Sequence, residues 1–170
     1  MTLRARSLVV ETNGPEETRA CGIALGRSLR GRVTLSLEGP LGSGKTVLVR
    51  GVCEAVGVEG PVTSPTYTLE NEYEAADGRR VIHVDCFRLT GPEELEDLGL
   101  EDRLEEDTIL LVEWGERVLK ALPEDTIRIR LEPGEGDRRH IRIELPRGVE
   151  LPGLVEAEPA PGAADAGRDR

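Results

Sequence analysis

Three features of the 170-residue sequence predict an α/β fold with helices layered on both faces of a mixed, mainly parallel central sheet. Short runs rich in Val, Leu and Ile alternate with helical stretches, the pattern of parallel strands joined by crossover helices. Ile109-Leu110-Leu111-Val112 is continuously apolar, as a strand covered on both faces must be. A glycine-rich turn, Gly39 to Thr46, separates an alternating run from a helical one.

In chain order, Ser7-Leu8-Val9-Val10 reads as a short strand. Thr12 to Glu17 starts a helix, with a capping residue, an early proline and acids in the first turn. Cys21, Ile23, Ala24, Leu25 and Leu29 give it an apolar face, and Gly31 ends it. Val33 to Leu37 is the strand before the glycine-rich turn. Val47 to Val52 belongs to the helix after it, which Gly57 stops. Pro61 to Thr66 is a turn-forming, hydroxyl-rich segment. Thr66 to Tyr73 and Arg80 to Val84 read as strands joined by an Asp77-Gly78 hairpin turn. Pro92 to Leu98 is a short acidic helix, and Leu104 lies in a second such stretch. Glu116 to Leu122 reads as a helix closed by Pro123. Thr126 to Leu131 and His140 to Leu145 alternate strictly, which predicts a C-terminal antiparallel hairpin at the sheet edge with one face in water. The folded domain is expected to span 1–147. Residues 148–170, rich in Pro, Ala and Gly, are expected to form a disordered tail without a catalytic part.

The turn itself is Gly39-Pro40-Leu41-Gly42-Ser43-Gly44-Lys45-Thr46, a G-x-x-x-x-G-K-[ST] sequence between a strand and a helix. In that context it is a P-loop, and the fold class becomes P-loop NTPase-like, a three-layer sandwich. Glycines let the backbone curl so that several N–H groups point at one anion, and the helix adds its positive end. Lys45 supplies a compact charge for the outer phosphates, and Thr46 offers a hydroxyl to Mg²⁺. The chain uses Arg almost everywhere; its lysines are Lys45 and Lys120. An ammonium fits a backbone nest where a planar guanidinium fork does not.

The net charge is −11, which argues against a chain that grips nucleic acid by itself, because phosphate neutralisation needs a basic face. It leaves room for a basic partner protein. Cys21, Cys53 and Cys86 are widely spaced without metal-ligand spacing, which predicts reduced thiols in a cytosolic protein. No signal-peptide pattern and no apolar run of membrane-spanning length is seen.

A P-loop works with a metal, and the metal with an acid at the end of a neighbouring strand. Two apolar runs end in carboxylates, at Asp85 and at Glu113. Glu113 follows the strongest central strand and is the candidate metal ligand with Thr46. Asp85 then orients or activates the attacking water, or contacts metal-bound water. Each acid also has a simpler reading as a helix cap. His83 alternates with Ile82 and Val84, so it points outward or bonds locally. Ser64-Pro65-Thr66-Tyr67 is either an ordinary loop or a switch with hydroxyls near the γ-phosphate. Trp114 packs near the nucleotide, anchors a partner, or fills core.

These motifs, in this order and spacing, resemble the TsaE (YjeE) family: the P-loop, Ser64-Pro65-Thr66-Tyr67-Thr68, His83-Val84-Asp85-Cys86-Phe87-Arg88-Leu89 and Val112-Glu113-Trp114. The likeness covers about residues 7 to 145. It implies a bacterial P-loop ATPase needed for threonylcarbamoyladenosine at position 37 of certain tRNAs. The family acts with the TsaD and TsaB proteins, and tRNA is met only through those partners. The resemblance further implies that the loop residues Gly39, Leu41, Gly42, Ser43, Gly44 and Lys45 bind the phosphates of ATP. By the same resemblance Thr46 and Glu113 hold Mg²⁺, and Asp85 serves hydrolysis with Lys45. Thr18 and the stretch from Gly136 to Arg139 are implied to lie by adenine or ribose. Pro40 stands where the family usually has Asp, and Phe87 where Tyr is common.

Three other readings compete. A small-molecule P-loop kinase needs an Arg-bearing lid, and Glu93 to Asp107 is too acidic to make one. A GTPase needs an Asn-Lys-x-Asp motif, which neither lysine provides. The third is a nucleotide-sensing subunit that binds but hardly turns over; slow hydrolysis alone, rising when partners are added, separates the family reading from it.

Overall fold

The computed structural model describes residues 6–154. Seven strands form one sheet: β1 (Arg6–Thr12), β2 (Val33–Glu38), β3 (Glu70–Glu74), β4 (Arg80–Asp85), β5 (Ile109–Glu113), β6 (Ile127–Pro133) and β7 (Arg139–Leu145). Their spatial order is β1-β7-β6-β2-β5-β4-β3. The central neighbours β6–β2, β2–β5 and β5–β4 run parallel; β1–β7, β7–β6 and β4–β3 run antiparallel.

Helices α1 (Pro15–Ser28) and α2 (Lys45–Ala55) cover one face. The short α3 (Pro92–Glu96) and several 3₁₀ turns cover the other. The apolar run of β5 serves both layers. Ile109 and Leu111 join Leu25, Leu48 and Val52 in the larger core cluster. Leu110 and Val112 join Leu95, Leu100 and Val118 in the smaller one. Alternate side chains of a strand leave opposite faces, so a strand between two apolar layers reads as a continuous apolar run.

At the start of α1, Gly14 offers no side chain as a cap, and Glu17 answers instead. Its Oε2 accepts from the Asn13 backbone N–H at 2.9 Å and from Asn13 Nδ2 at 3.0 Å, tying the residue before the cap to the first turn. α1 then lies on α2 with the two backbones in contact. A Cβ at Gly22 would sit 2.2 Å from the Leu48 carbonyl oxygen, and one at Gly51 would sit 2.2 Å from that of Arg19. No side chain larger than hydrogen fits at this crossing.

Three sequence expectations are corrected. The β6–β7 hairpin does alternate between buried and exposed positions, but it is interior: β2 pairs with β6 and β1 with β7. The helix expected over Glu116 to Leu122 is two 3₁₀ turns, Gly115–Arg117 and Leu119–Ala121, broken at Val118, whose φ of −129° is not helical. The strand expected from Thr66 begins only at Glu70, because Leu69 takes a left-handed φ of 66°. Past residue 147, Val149, Leu151 and Leu154 are partly buried against the larger cluster. The rest of the expected tail, 155–170, lies outside the described residues.

Candidate functional site

Three parallel strands end together at one rim. Leu37 of β2 stands beside Glu113 of β5, and Glu113 beside Asp85 of β4. The Gly39–Thr46 loop leaves β2 at this rim and turns directly into α2, so chain connectivity alone brings the loop to both carboxylates. The loop requires glycine at its first position. Gly39 has φ 137°, and a Cβ there would sit 2.3 Å from the Leu131 carbonyl oxygen. Gly44, at φ 101°, ends the loop where α2 begins.

The Lys45 ammonium lies back along the loop. Its Nζ donates to the carbonyls of Gly39 at 2.7 Å and Pro40 at 2.9 Å, and to Ser43 Oγ at 3.4 Å. It also stands 4.0 Å from the centre of the Trp114 ring, a cation–π contact. Burial pushes its pKa below the ordinary lysine value, against the opposing pull of Glu113, Glu116 and Asp85. Trp114 is held for that contact in a left-handed conformation, φ 59°, which costs a non-glycine residue about 1–2 kcal/mol. The next residue, Gly115, rests so close to Ser36 that a Cβ would meet its Oγ at 2.0 Å.

Glu113 is buried, yet both of its oxygens reach the Thr46 hydroxyl at 3.0 Å. His83 Nε2 lies 2.8 Å from Oε1. Asp85 is engaged from the other side. Its Oδ2 accepts from Ser64 Oγ at 2.8 Å and Thr66 Oγ1 at 3.1 Å, and its Oδ1 from the Phe87 backbone N–H at 2.9 Å. Pro65 between them is buried, while Tyr67 is 85% exposed with the Arg88 guanidinium 4.8 Å over its ring.

Leu41 through Thr46, Ser64, Thr66, Asp85, Phe87, Glu113 and Trp114 line one cavity of about 420 Å³. A cleft of about 120 Å³ adjoins it, walled by Gly14, Thr18, Gly44, Val47, Asp137 and Arg139. Arg139 braces the loop from behind, donating to the carbonyls of Ser43 at 3.1 Å and Gly42 at 3.3 Å. The Thr18 hydroxyl is engaged with Thr12 at 2.9 Å and the Gly14 carbonyl at 3.1 Å. Another cavity, about 340 Å³, is walled by Leu95, Leu100, Leu104 and Leu110 together with Arg32, Glu96, Glu101 and Lys120.

A hydroxyl, one carboxylate at its side and a second carboxylate nearby form a hard-oxygen donor set. Among the described residues no three His, Cys, Asp or Glu side chains converge as a self-sufficient metal site. That combination suits Mg²⁺, which takes one or two protein oxygens and fills the rest of its octahedron with water and phosphate. The cysteines stay outside this chemistry. All are free thiols, and burial pushes Cys53 and Cys86 up to about 12 and Cys21 to about 11.

Every residue singled out from the sequence as phosphate- or metal-binding, Gly39 excepted, thus lines the cavity or its adjoining cleft. His83 was read as pointing outward or bonding locally; it is fully buried against Glu113. Its signal in the sequence was the two-residue spacing to Asp85, which puts both side chains on one face of β4.

A parallel-centred sheet with a phosphate-loop turn between its middle strand and a covering helix defines the P-loop NTPase class. Comparison with known proteins narrows the class. The family described as threonylcarbamoyl adenosine biosynthesis protein TsaE matches residues 12–141, and the chain belongs to that family. It is 40% identical over 131 residues to the Streptomyces coelicolor tRNA threonylcarbamoyladenosine biosynthesis protein TsaE, covering 74% of this chain and 88% of the relative. The Bacillus subtilis protein of the same name is 34% identical over 137 residues, covering 80% and 84%. The crystal structure of Bacillus subtilis YdiB superposes with a TM-score of 0.69 at 29% identity, covering 85% of this chain and 88% of that one.

Proposed function

We propose that this protein binds ATP with Mg²⁺ at the P-loop and hydrolyses it, slowly alone and faster with TsaD and TsaB, in support of tRNA threonylcarbamoyladenosine formation. The observation that carries the reading is the pairing of the Thr46 hydroxyl with both Glu113 oxygens at 3.0 Å, beside the loop that ends in Lys45. In a P-loop enzyme that hydroxyl and a carboxylate from a neighbouring strand share one metal ion.

The roles follow from position. Loop N–H groups from Leu41 to Thr46 and the start of α2 bind phosphate oxygens. Lys45 leaves its carbonyl partners and turns to the outer phosphates. Thr46 and Glu113 would hold Mg²⁺, which when bound would supply positive charge beside the phosphates. Asp85 orients the attacking water once Ser64 and Thr66 release it, which makes Ser64 to Tyr67 the nucleotide-sensitive segment. The cleft bounded by Thr18 and Arg139 takes the ribose or base. Partners carry the tRNA, as the −11 net charge favours, and the setting is the cytoplasm. Among the described residues no helix is long and apolar enough to cross a membrane.

The test is phosphate release from ATP by the purified chain, with and without TsaD and TsaB. Stimulation by the pair is expected, with no phosphate passed to a metabolite. Asp85→Asn should leave ATP binding intact and lower turnover by about a hundredfold, the low end for a lost proton-transfer group. Turnover indifferent to the partners, or unaffected by Asp85→Asn, refutes the reading.

A further inference from the structure

We propose that His83 is a positioning residue for the Glu113 carboxylate, setting its orientation for the metal. The inference rests on the reading of Glu113 as a Mg²⁺ ligand.

Three observations carry it. β4 places His83 beside Leu111, two residues before the Asp85–Glu113 pair, so its side chain leaves the sheet on the same face as Asp85. Its ring is fully buried, and Nε2 stands 2.8 Å from Glu113 Oε1. The other ring nitrogen, Nδ1, is the one buried side-chain polar atom among the described residues without a hydrogen-bond partner.

The unpartnered nitrogen is the informative part. Leaving a buried polar atom unpaired is unfavourable. A leucine here would fill the space between strand and helices without that penalty. An imidazole at this place is therefore explained by what its first nitrogen does. Oε1 of a carboxylate can only accept, so Nε2 carries the proton and donates it. That donation holds Oε1 toward β4 and leaves the edge shared with Thr46 for the cation. Partners of this kind, one layer behind a metal ligand, fix its orientation and its charge.

The test measures ATP affinity with Mg²⁺ and with EDTA, and takes the ratio, for the full chain and three variants. Glu113→Gln should abolish most of the Mg²⁺-dependent gain. His83→Leu should reduce that gain roughly tenfold while leaving the EDTA affinity unchanged, the low end for lost outer partners of metal ligands. His83→Gln should restore most of it, because its amide donates from near the position of Nε2. NMR of the ligand-free chain supplies a readout independent of metal. An Nε2–H proton slow to exchange with solvent is expected from His83, and it should vanish in His83→Gln; the other histidine, His140, is exposed.

If Glu113→Gln lowers the ratio and His83→Leu does not, the inference is overturned and the metal reading stands. If Glu113→Gln leaves the ratio unchanged, the metal reading falls and the inference with it. Should His83→Leu fail to fold, His83→Gln and the NMR signal decide: a glutamine variant without Mg²⁺ coupling, or a ring without a protected Nε2–H, overturns the proposal.

Discussion

Two glutamates are buried at the same rim of the sheet, and they are treated differently. Glu38 ends β2 and Glu113 ends the neighbouring β5, each almost without solvent contact. Glu38 faces a full set of cationic donors. Arg128 grips it at 2.7 and 2.9 Å, Arg130 adds a bond at 3.3 Å, and Ser36 Oγ donates at 3.3 Å. The Arg128 guanidinium is held above its ordinary pKa chiefly by that hydrogen bond. Among the described residues Glu113 has only the Thr46 hydroxyl and an imidazole N–H as hydrogen-bond partners. Burying a carboxylate is costly unless opposite charge answers it. One glutamate is answered by guanidinium hydrogen bonds; the other is held by a hydroxyl and an imidazole, with the Lys45 ammonium near enough to feel its charge. Burial alone therefore does not mark a functional acid; the character of its partners does.

The comparison can be broken in three places. Arg128→Ala should lower unfolding free energy by about 2–3 kcal/mol, less than the roughly 3–5 kcal/mol of a fully buried pair because Arg130 and Ser36 still reach Glu38. Denaturant unfolding measures this. A loss under about 0.5 kcal/mol, typical of exposed pairs, means that Glu38 is no more dependent on its partners than a surface charge. Lys45→Ala removes a charge-assisted phosphate contact of about 1.5–3 kcal/mol, so ATP affinity should fall roughly ten- to a hundredfold in a calorimetric titration. Unchanged affinity removes the loop from the proposed function. Glu113→Gln is the smallest effect and the sharpest contrast: thermal unfolding should show stability unchanged or higher by up to about 1 kcal/mol, as an under-answered buried charge disappears. A loss as large as that of Arg128→Ala would show that the two acids are equivalent after all.

Much of this was legible in the sequence where the signal is local. The P-loop is eight consecutive residues whose backbone requirements are written in their glycines. The two-faced burial of β5 is written in four consecutive aliphatics. What was misread depends on distant chain. Alternation along β6 and β7 reports one wet face but not which strands lie alongside, so an interior hairpin read as an edge. The 3₁₀ turns after Trp114 replace a helix because Val118, at φ −129°, leaves the helical region, and the apolar spacing does not announce that. His83 occupies a position whose alternation fits either face of its strand; only the structure shows that this face is covered, with the ring fully buried beside Glu113.

The touching backbones of α1 and α2 have a mechanical consequence. Gly22 and Gly51 leave no compressible side chains at that crossing, and a Cβ added at Gly44 would meet the Thr18 methyl at 3.5 Å. The wall of the cleft at Thr18 and the helix that carries Lys45 and Thr46 are therefore joined with no compressible layer between them. The opposite side of the cavity, the Ser64–Tyr67 segment, is attached differently, resting on Asp85 through two hydroxyls.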